Sequence, residues 1–144
     1  MATKAFGYPV VLSPDGNTFM VEFPDVPEAL TQGTDRVDAL ANAVDCLVAA
    51  LGTYLERHRD IPARSPARGR PVVTPPPLVA AKLALYQAMR EGGMTNVALA
   101  TRLGVAENAV RRLLDLDHRS HIGQIETALR VFDKRLVVEV RNAA

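Results

Sequence analysis

The sequence lacks the features that mark secreted and membrane proteins. Its 144 residues include a single cysteine, Cys46, which cannot form an internal disulfide and so suits a reducing compartment. No run of apolar residues approaches the ~18 that a membrane-spanning helix needs. The first four residues do not begin the apolar stretch of a secretory signal. We therefore expect a cytoplasmic protein that is not associated with a membrane.

The sequence also has no group of residues with the spacing of a metal site. Its three histidines, His58, His118 and His121, do not have metal-ligand spacing among themselves or with Cys46. Hydrophobic residues make up 48% of the chain and charged residues 23%, which is close to the globular average and argues against general disorder. We expect a folded protein that uses no metal or cofactor and is not an enzyme.

The net charge is only +1, but the charges are unevenly distributed. Residues 1–56 hold two basic and eight acidic residues, a net charge of −6, whereas residues 57–144 hold fifteen basic and eight acidic residues, a net charge of +7. A basic half indicates a polyanionic partner, and an acidic half indicates a basic protein partner. The alternative is that solvated surface charges are distributed this way without a partner.

The first half of the chain predicts a small α+β unit. Residues 6–12 and 18–23 are rich in β-forming residues and are joined by the turn sequence SPDGN, so we predict a hairpin, with a third strand at residues 29–32. Thr34 or Asp35 can cap a helix that continues to about residue 59. Its larger apolar residues fall on one stripe, which we expect to pack on the sheet: Leu40, Val44, Leu47, Val48, Leu51 and Leu55.

Proline and arginine are concentrated in residues 60–77. This segment holds six of the ten prolines and three arginines, and Arg59 directly precedes it. Because proline fixes φ and has no N–H group, the segment is neither a helix nor a central strand, although residues 70–74 suit a short edge strand. We predict a semi-rigid linker that completes a first domain, residues 1–77.

The second half, residues 78–144, predicts a helical domain. Helices are expected over residues 78–90, 95–103 and 106–114, and Ser120 can cap a fourth. Residues 135–141 largely alternate apolar and charged side chains, which predicts a C-terminal strand. This strand either packs within its own chain or pairs with its copy in a second chain, which would give a homodimer or a higher homo-oligomer.

Two short helices around a glycine turn form the most informative segment, residues 95–114. Thr95 can cap the first helix, Ala100 offers a small surface where the helices cross, and Gly104 permits the positive φ that ends the first helix. This spacing is typical of a helix-turn-helix, in which the second helix enters the major groove of DNA. The alternative is an ordinary helical hairpin with a solvated, charged face.

The helix-turn-helix interpretation predicts which residues contact DNA. Arginine can bond to guanine, asparagine to adenine, and a helix N-terminus can hold a phosphate. We expect Arg111 to read a base, and Arg112 to bind a phosphate or pair with Asp115. The full predicted set is Thr95, Asn96, Ala106, Glu107, Asn108, Arg111, Arg112 and Arg119.

Two resemblances to known families cover nearly the whole chain. Residues 83–140, especially 99–105 (LATRLGV) and 110–114 (VRRLL), resemble the phage-repressor (Xre-type) helix-turn-helix family. Glu107 departs from that family, in which an uncharged residue, often glutamine, is common at this position. The N-terminal half resembles the HicB antitoxin family in the segments 8–12 (YPVVL), 23–27 (FPDVP), 31–33 (TQG) and 39–43 (ALANA).

These resemblances imply an antitoxin of a type II toxin–antitoxin system. HicB-like proteins bind HicA-like toxins, which are small basic RNA-cleaving proteins with a double-stranded-RNA-binding-like fold, and they repress their own operon. The HicB N-terminal domain is similar to a truncated ribonuclease H fold. Ribonuclease H chemistry needs several carboxylates around two metal ions, and residues 6–12, the first predicted strand, contain no acid.

We therefore interpret the chain as a two-domain antitoxin and repressor. The acidic residues 1–77 would neutralise the toxin, and on this interpretation that fragment would suffice, while residues 78–144 would hold operator DNA. Two alternatives stay open. One is a stand-alone helix-turn-helix regulator whose N-terminal domain senses a ligand or dimerises, and the other is a metal-dependent nuclease.

Overall fold

The computed structural model describes residues 6–142, and the N-terminal residues examined for a secretory signal lie outside them. The fold is α+β, as predicted, with two small antiparallel sheets and five helices in that range. The strands are β1 (Tyr8–Pro9), β2 (Val11–Asp15), β3 (Thr18–Glu22), β4 (Leu30–Gly33) and β5 (Val72–Val73). The helices are α1 (Arg36–Glu56), α2 (Pro77–Glu91), α3 (Asn96–Leu103), α4 (Glu107–Leu114) and α5 (Ile122–Arg130).

The predicted hairpin is present, with a tighter turn than the sequence suggested. β2 and β3 pair in an antiparallel register that runs from Val11 opposite Glu22 to Asp15 opposite Thr18. Strand β2 therefore continues through three of the five residues assigned to the turn, and Gly16, with φ of 59°, makes the reversal. The third strand is confirmed as β4, which pairs with β3, while β5 pairs with β1 in a second sheet.

Helix α1 packs on the sheet through a different face from the predicted stripe. Leu47, Leu51 and Leu55 are buried as expected, but Leu40, Val44 and Val48 are only partly buried. Small residues lie where α1 and β4 come closest together. A Cβ atom placed on Gly33 of β4 would be only 2.2 Å from the backbone nitrogen of Ala39. Ala39 and Ala43, both fully buried, fit this gap where larger side chains would not.

Helix α1 is long and apolar enough to cross a membrane, judged by its length and composition alone. In this fold it spans 21 residues, fewer than predicted, because Asp35 caps its start and the chain turns at His58, which has φ of 53°. One face of α1 lies on the sheet, and 28% of its most apolar 18-residue window is buried in the fold.

The proline-rich segment is bound along the N-terminal unit and is not a free linker. The Tyr8 hydroxyl donates to the Pro62 carbonyl oxygen at 2.7 Å, and the Ser65 backbone N–H donates to the Asp25 carboxylate at 2.8 Å. The Val10 N–H donates to the Pro71 carbonyl oxygen at 2.9 Å, and the next residues form β5, the short edge strand that the sequence suggested. The proline composition predicts an extended path, but only the folded chain supplies these partners.

Helix α2 contributes to both hydrophobic cores. Val79, Leu83 and Tyr86 pack with the sheets and α1, while Leu85 and Met89 pack with the following helices. The prediction that the domains divide at residues 77 and 78 therefore places α2 wholly in the second domain, although one of its faces completes the first core.

The C-terminal segment does not form the predicted strand. Residues 134–142 have no strand partner in the part of the chain that the structure describes. Leu136 packs on the second core, whereas Val137, Val138 and Val140 are 61%, 73% and 92% exposed. The alternating pattern suits a strand, but a strand needs a neighbour, and residues 6–142 provide none at that position.

Candidate nucleic-acid interface

Helices α3 and α4 form a compact pair that matches the predicted boundaries. The Thr95 hydroxyl accepts a hydrogen bond from the Ala98 N–H at 3.1 Å, and Gly104 ends α3 in the left-handed conformation with φ of 68°. Leu99 and Val110 are fully buried between the helices, and Ala100 is also buried. Local capping and small residues therefore determine where these helices start and stop.

The structure divides the eight predicted DNA-contact residues into two groups. One group lines a cleft of about 1190 Å³ between α1 and the α3–α4 pair: Thr95, Asn96, Glu107 and Arg111. Gly52, Thr53 and Glu56 of α1 line the same cleft. The other group is exposed and does not line the cleft: Ala106, Asn108, Arg112 and Arg119. Ala106 is the N-cap of α4 and makes no side-chain capping bond.

The two adjacent arginines of α4 have different surroundings. Arg111 donates to the Glu107 carboxylate, with Nη2 at 3.0 Å from Oε1, in an exposed i, i+4 ion pair. Arg112 is exposed and makes no ion pair within residues 6–142. The pairing with Asp115 that we expected is not formed, and the Asp115 carboxylate instead accepts a hydrogen bond from the Asp117 N–H at 3.0 Å.

The positions around the helix axis also separate these two arginines. Successive residues of a helix are about 100° apart, so Asn108 and Arg112, each two positions from the buried Val110, lie about 160° from it around the axis. Arg111 lies about 100° from Val110, at the side of the helix. Asn108 and Arg112, one turn apart, therefore form the part of α4 that points most directly away from the core.

Lys82 of α2 is a residue that the sequence interpretation missed. Its side chain is fully buried. Nζ donates to the carbonyl oxygens of Arg112 at 2.8 Å, Asp115 at 2.6 Å and His118 at 2.7 Å, and to the Ser120 hydroxyl at 2.9 Å. The signal in the sequence was one lysine in an otherwise apolar run, AAKLAL.

The bonds of Lys82 fix the end of α4 and the loop that follows. A positive charge near the C-terminal carbonyls of a helix is favourable, because the helix dipole is negative there. Burial lowers the pKa of the Lys82 ammonium, and the nearby Asp115 opposes this shift. Ser120 is engaged in this network and does not cap α5, whose N-cap is His121.

Several acidic residues of the N-terminal unit are engaged in internal contacts. The Tyr54 hydroxyl donates to Glu28 at 2.8 Å, and the Arg59 guanidinium lies 4.4 Å from the centre of the Tyr54 ring. The Glu28 backbone N–H and then Tyr54 lower the pKa of the Glu28 carboxyl. Across residues 6–142, no three His, Cys, Asp or Glu side chains are close enough together to hold a metal ion.

Comparison with known proteins identifies the family. The family model described as the HicB_like antitoxin of bacterial toxin–antitoxin systems matches residues 7–84. "Antitoxin HicB 2" of Photorhabdus laumondii is 39% identical over 134 residues, which cover 93% of this chain and 96% of that protein. "Antitoxin HicB" of Escherichia coli K12 is 36% identical over 132 residues, which cover 90% and 95%. "Antitoxin HicB" of Pseudomonas fluorescens is 31% identical over 140 residues, which cover 96% of both chains.

The comparisons confirm the resemblance that the N-terminal segments carry. The family match includes the hairpin, α1 and the proline-rich segment, and the curated relatives extend it over nearly the full length. This chain belongs to the HicB-like antitoxins of bacterial toxin–antitoxin systems.

Proposed function

We propose that this protein neutralises a HicA-like toxin with its acidic N-terminal unit and represses its own operon with the α3–α4 pair, acting in the cytoplasm. The family membership supports the first role. The observation that carries the second is α4 itself, which has one side fixed in the core and an opposite side that is exposed and cationic. A helix held in this way on a protein surface suits insertion into the major groove.

The α3–α4 pair would act as a helix-turn-helix. The N-terminus of α3, with Thr95 and Asn96, would hold a phosphate and set the register on the duplex. Asn108 and Arg112 would face the base edges, since asparagine can bond to adenine and arginine to guanine in two-point contacts. Arg119, exposed in the loop after α4, would bind a second phosphate.

The geometry favours Arg112 over Arg111 for the base contact, although the sequence favoured Arg111. The exposed pair of Arg111 with Glu107 contributes only about 0.3–0.5 kcal/mol, so it does not prevent Arg111 from contacting DNA. However, Arg111 lies at the side of the helix, on the wall of the cleft, and suits a phosphate at the groove edge. We assign the phosphate contact to Arg111 and the base contact to Arg112.

The exposed C-terminal segment would form the homodimer. Antiparallel pairing of residues 135–139 with the same residues of a second copy, centred on Val137, places Arg135 opposite Glu139. Opposite charges across a strand pair are favourable, and both charged residues of this register meet one. The resulting two-fold axis would align two α4 helices with a palindromic operator.

The full-length chain is the right material for the test. The fragment 1–77, which the sequence interpretation expected to suffice for neutralisation, lacks Val79, Leu83 and Tyr86 and would leave the first core open. We expect the full chain to rescue growth of cells that express the toxin encoded beside it, and to shift its own promoter DNA in a gel. Promoter binding without rescue would instead favour the stand-alone regulator.

The division of roles is tested by a surface variant of α4. Arg112→Ala should weaken repression of a promoter reporter and leave toxin rescue unchanged, because Arg112 lies outside the N-terminal unit. Arg130→Ala, at an exposed position on α5, is the matched control and should change neither readout. Loss of rescue in Arg112→Ala would show that the two roles are not separate.

A further inference from the structure

The face of the three-stranded sheet turned away from α1 carries three exposed side chains and one half-buried side chain, Met20. We call Val11, Met20, Glu22 and Leu30 the outer patch. In the strand register, Glu22 of β3 lies directly between Val11 of β2 and Leu30 of β4, and Met20 lies two residues along β3 on the same face. Val11 is 36% and Leu30 is 54% exposed, so one carboxylate is flanked on both sides by apolar surface.

Glu22 is also one of the acids that the fold leaves available. Four acids of the N-terminal unit bond within the described structure: Asp25 with Ser65, Glu28 with Tyr54, and Asp35 and Asp38 at the start of α1. The carboxylates of Asp15, Glu22, Asp45 and Glu56 make no hydrogen bond or ion pair within residues 6–142. Only Glu22 of these four lies between two exposed apolar residues on neighbouring strands.

We propose that the outer patch is the surface that binds the small basic toxin; this rests on the neutralising role proposed above. A lysine or arginine of the toxin would pair with Glu22, while its aliphatic portion and neighbouring side chains pack on Val11, Met20 and Leu30. Interfaces concentrate binding energy in a few central, desolvated residues, among which arginine is common, and surround them with contacts that exclude water. The net charge of the unit, −2 over residues 1–77, has the sign that favours encounter with a basic partner.

The exposed side of α1 is the competing surface in the same unit. It carries Val37, which is 79% exposed, and Asp45, whose carboxylate is also available. This side of the helix is mostly small and apolar and continues towards the α1–α4 cleft. It therefore provides matched controls, because an acid and an exposed valine on α1, Asp45 and Val37, can be replaced in the same way as Glu22 and Val11 in the outer patch.

The experiment measures the affinity of the full-length chain for the toxin encoded beside its gene, purified in a catalytically inactive form, at physiological salt. Glu22→Lys and Asp45→Lys change the net charge equally, so long-range attraction falls by the same amount in both. We expect Glu22→Lys to raise Kd by about thirtyfold or more, as a central contact does, and Asp45→Lys to raise it less than about threefold. Val11→Thr should raise Kd by about tenfold, and Val37→Thr should leave it unchanged.

Each result leads to a definite conclusion. Equal weakening by Glu22→Lys and Asp45→Lys would overturn the proposal, because only long-range charge would then matter, and stronger weakening by the α1 variants would place the toxin on α1. Failure of the wild-type chain to bind the toxin would overturn the neutralising role itself, and the outer patch with it. Glu22→Gln keeps the side-chain shape and guards against misfolding: it should weaken binding with an unchanged melting temperature.

Discussion

Replacing Lys82 with methionine tests how the exposed helix α4 is held. The change removes the ammonium group and keeps a long, unbranched side chain. The three carbonyl acceptors retain other donors: the Asp115 N–H and Ser120 hydroxyl for Arg112, the His118 N–H for Asp115, and the Ser120 N–H for His118. The substitution therefore removes four hydrogen bonds without leaving these oxygens unpaired.

The expected loss of stability follows from two opposing effects. A hydrogen bond to a charged group contributes about 1.5–3 kcal/mol, which for four independent bonds would be about 6–12 kcal/mol. Burial of the ammonium costs several kcal/mol, and the acceptors keep partners, so we expect Lys82→Met to lower the free energy of unfolding by about 2–4 kcal/mol.

Urea denaturation followed by circular dichroism measures this loss. Lys134, the other lysine in residues 6–142, is exposed, and Lys134→Met should change the free energy of unfolding by less than about 0.5 kcal/mol. Because Lys82 holds the end of α4 and the loop with Arg119, we also expect Lys82→Met to weaken promoter binding under conditions in which it stays folded. A free energy of unfolding equal to that of the wild type would refute the reasoning, since the bonds would then only balance the burial cost.

Three further predictions concern DNA binding, assembly and pH. Fluorescence anisotropy with operator and scrambled DNA should show that Arg112→Ala costs about 1–3 kcal/mol of binding free energy for the operator alone. Arg111→Ala should weaken binding to both duplexes and lower the slope of log affinity against log salt by about 1. The reverse pattern would show that Arg111 reads the base. Deleting residues 136–144 should halve the molar mass measured by light scattering and reduce operator affinity far more than toxin binding, whereas an unchanged mass would exclude pairing through this segment. Burial, with a contribution from Asp25, raises the pKa of Tyr8 to about 12, so its contribution to stability is present below pH 10 and lost as the pH rises through 12. Absorbance titration should show that Tyr8→Phe removes the tyrosine that ionises last; if the last step remains, the burial argument fails.

The sequence predicted the elements whose boundaries depend on local chemistry. Helix α3 starts where the Thr95 side chain accepts a backbone hydrogen bond, and it ends where Gly104 adopts a positive φ. The hairpin is likewise determined by residues adjacent in the chain, with Gly16 at its turn. These interactions lie within a few residues of each other, so the sequence alone contains them.

The errors concern contacts between residues distant in the chain. The buried face of α1 depends on how closely Gly33 lets the helix approach, and this distance selects Ala39 over the larger Leu40. Lys82 lies 30 residues from Arg112, and no local pattern connects them. The C-terminal alternation predicts a strand, but a strand forms only against a partner strand, which local sequence does not supply.

The shared helix α2 makes the two proposed roles belong to one folded unit. Its Tyr86 hydroxyl donates to the Arg59 carbonyl oxygen at 2.7 Å, and Arg90 bonds to Asp60 and to the His58 carbonyl oxygen, each at 2.7 Å. These contacts join α2 to the segment that follows α1, while its opposite face, with Lys82, holds α4. Loss of either core would therefore disturb the other. Substitutions of exposed side chains such as Glu22 and Arg112 can test the two roles separately, whereas truncating the chain would affect both.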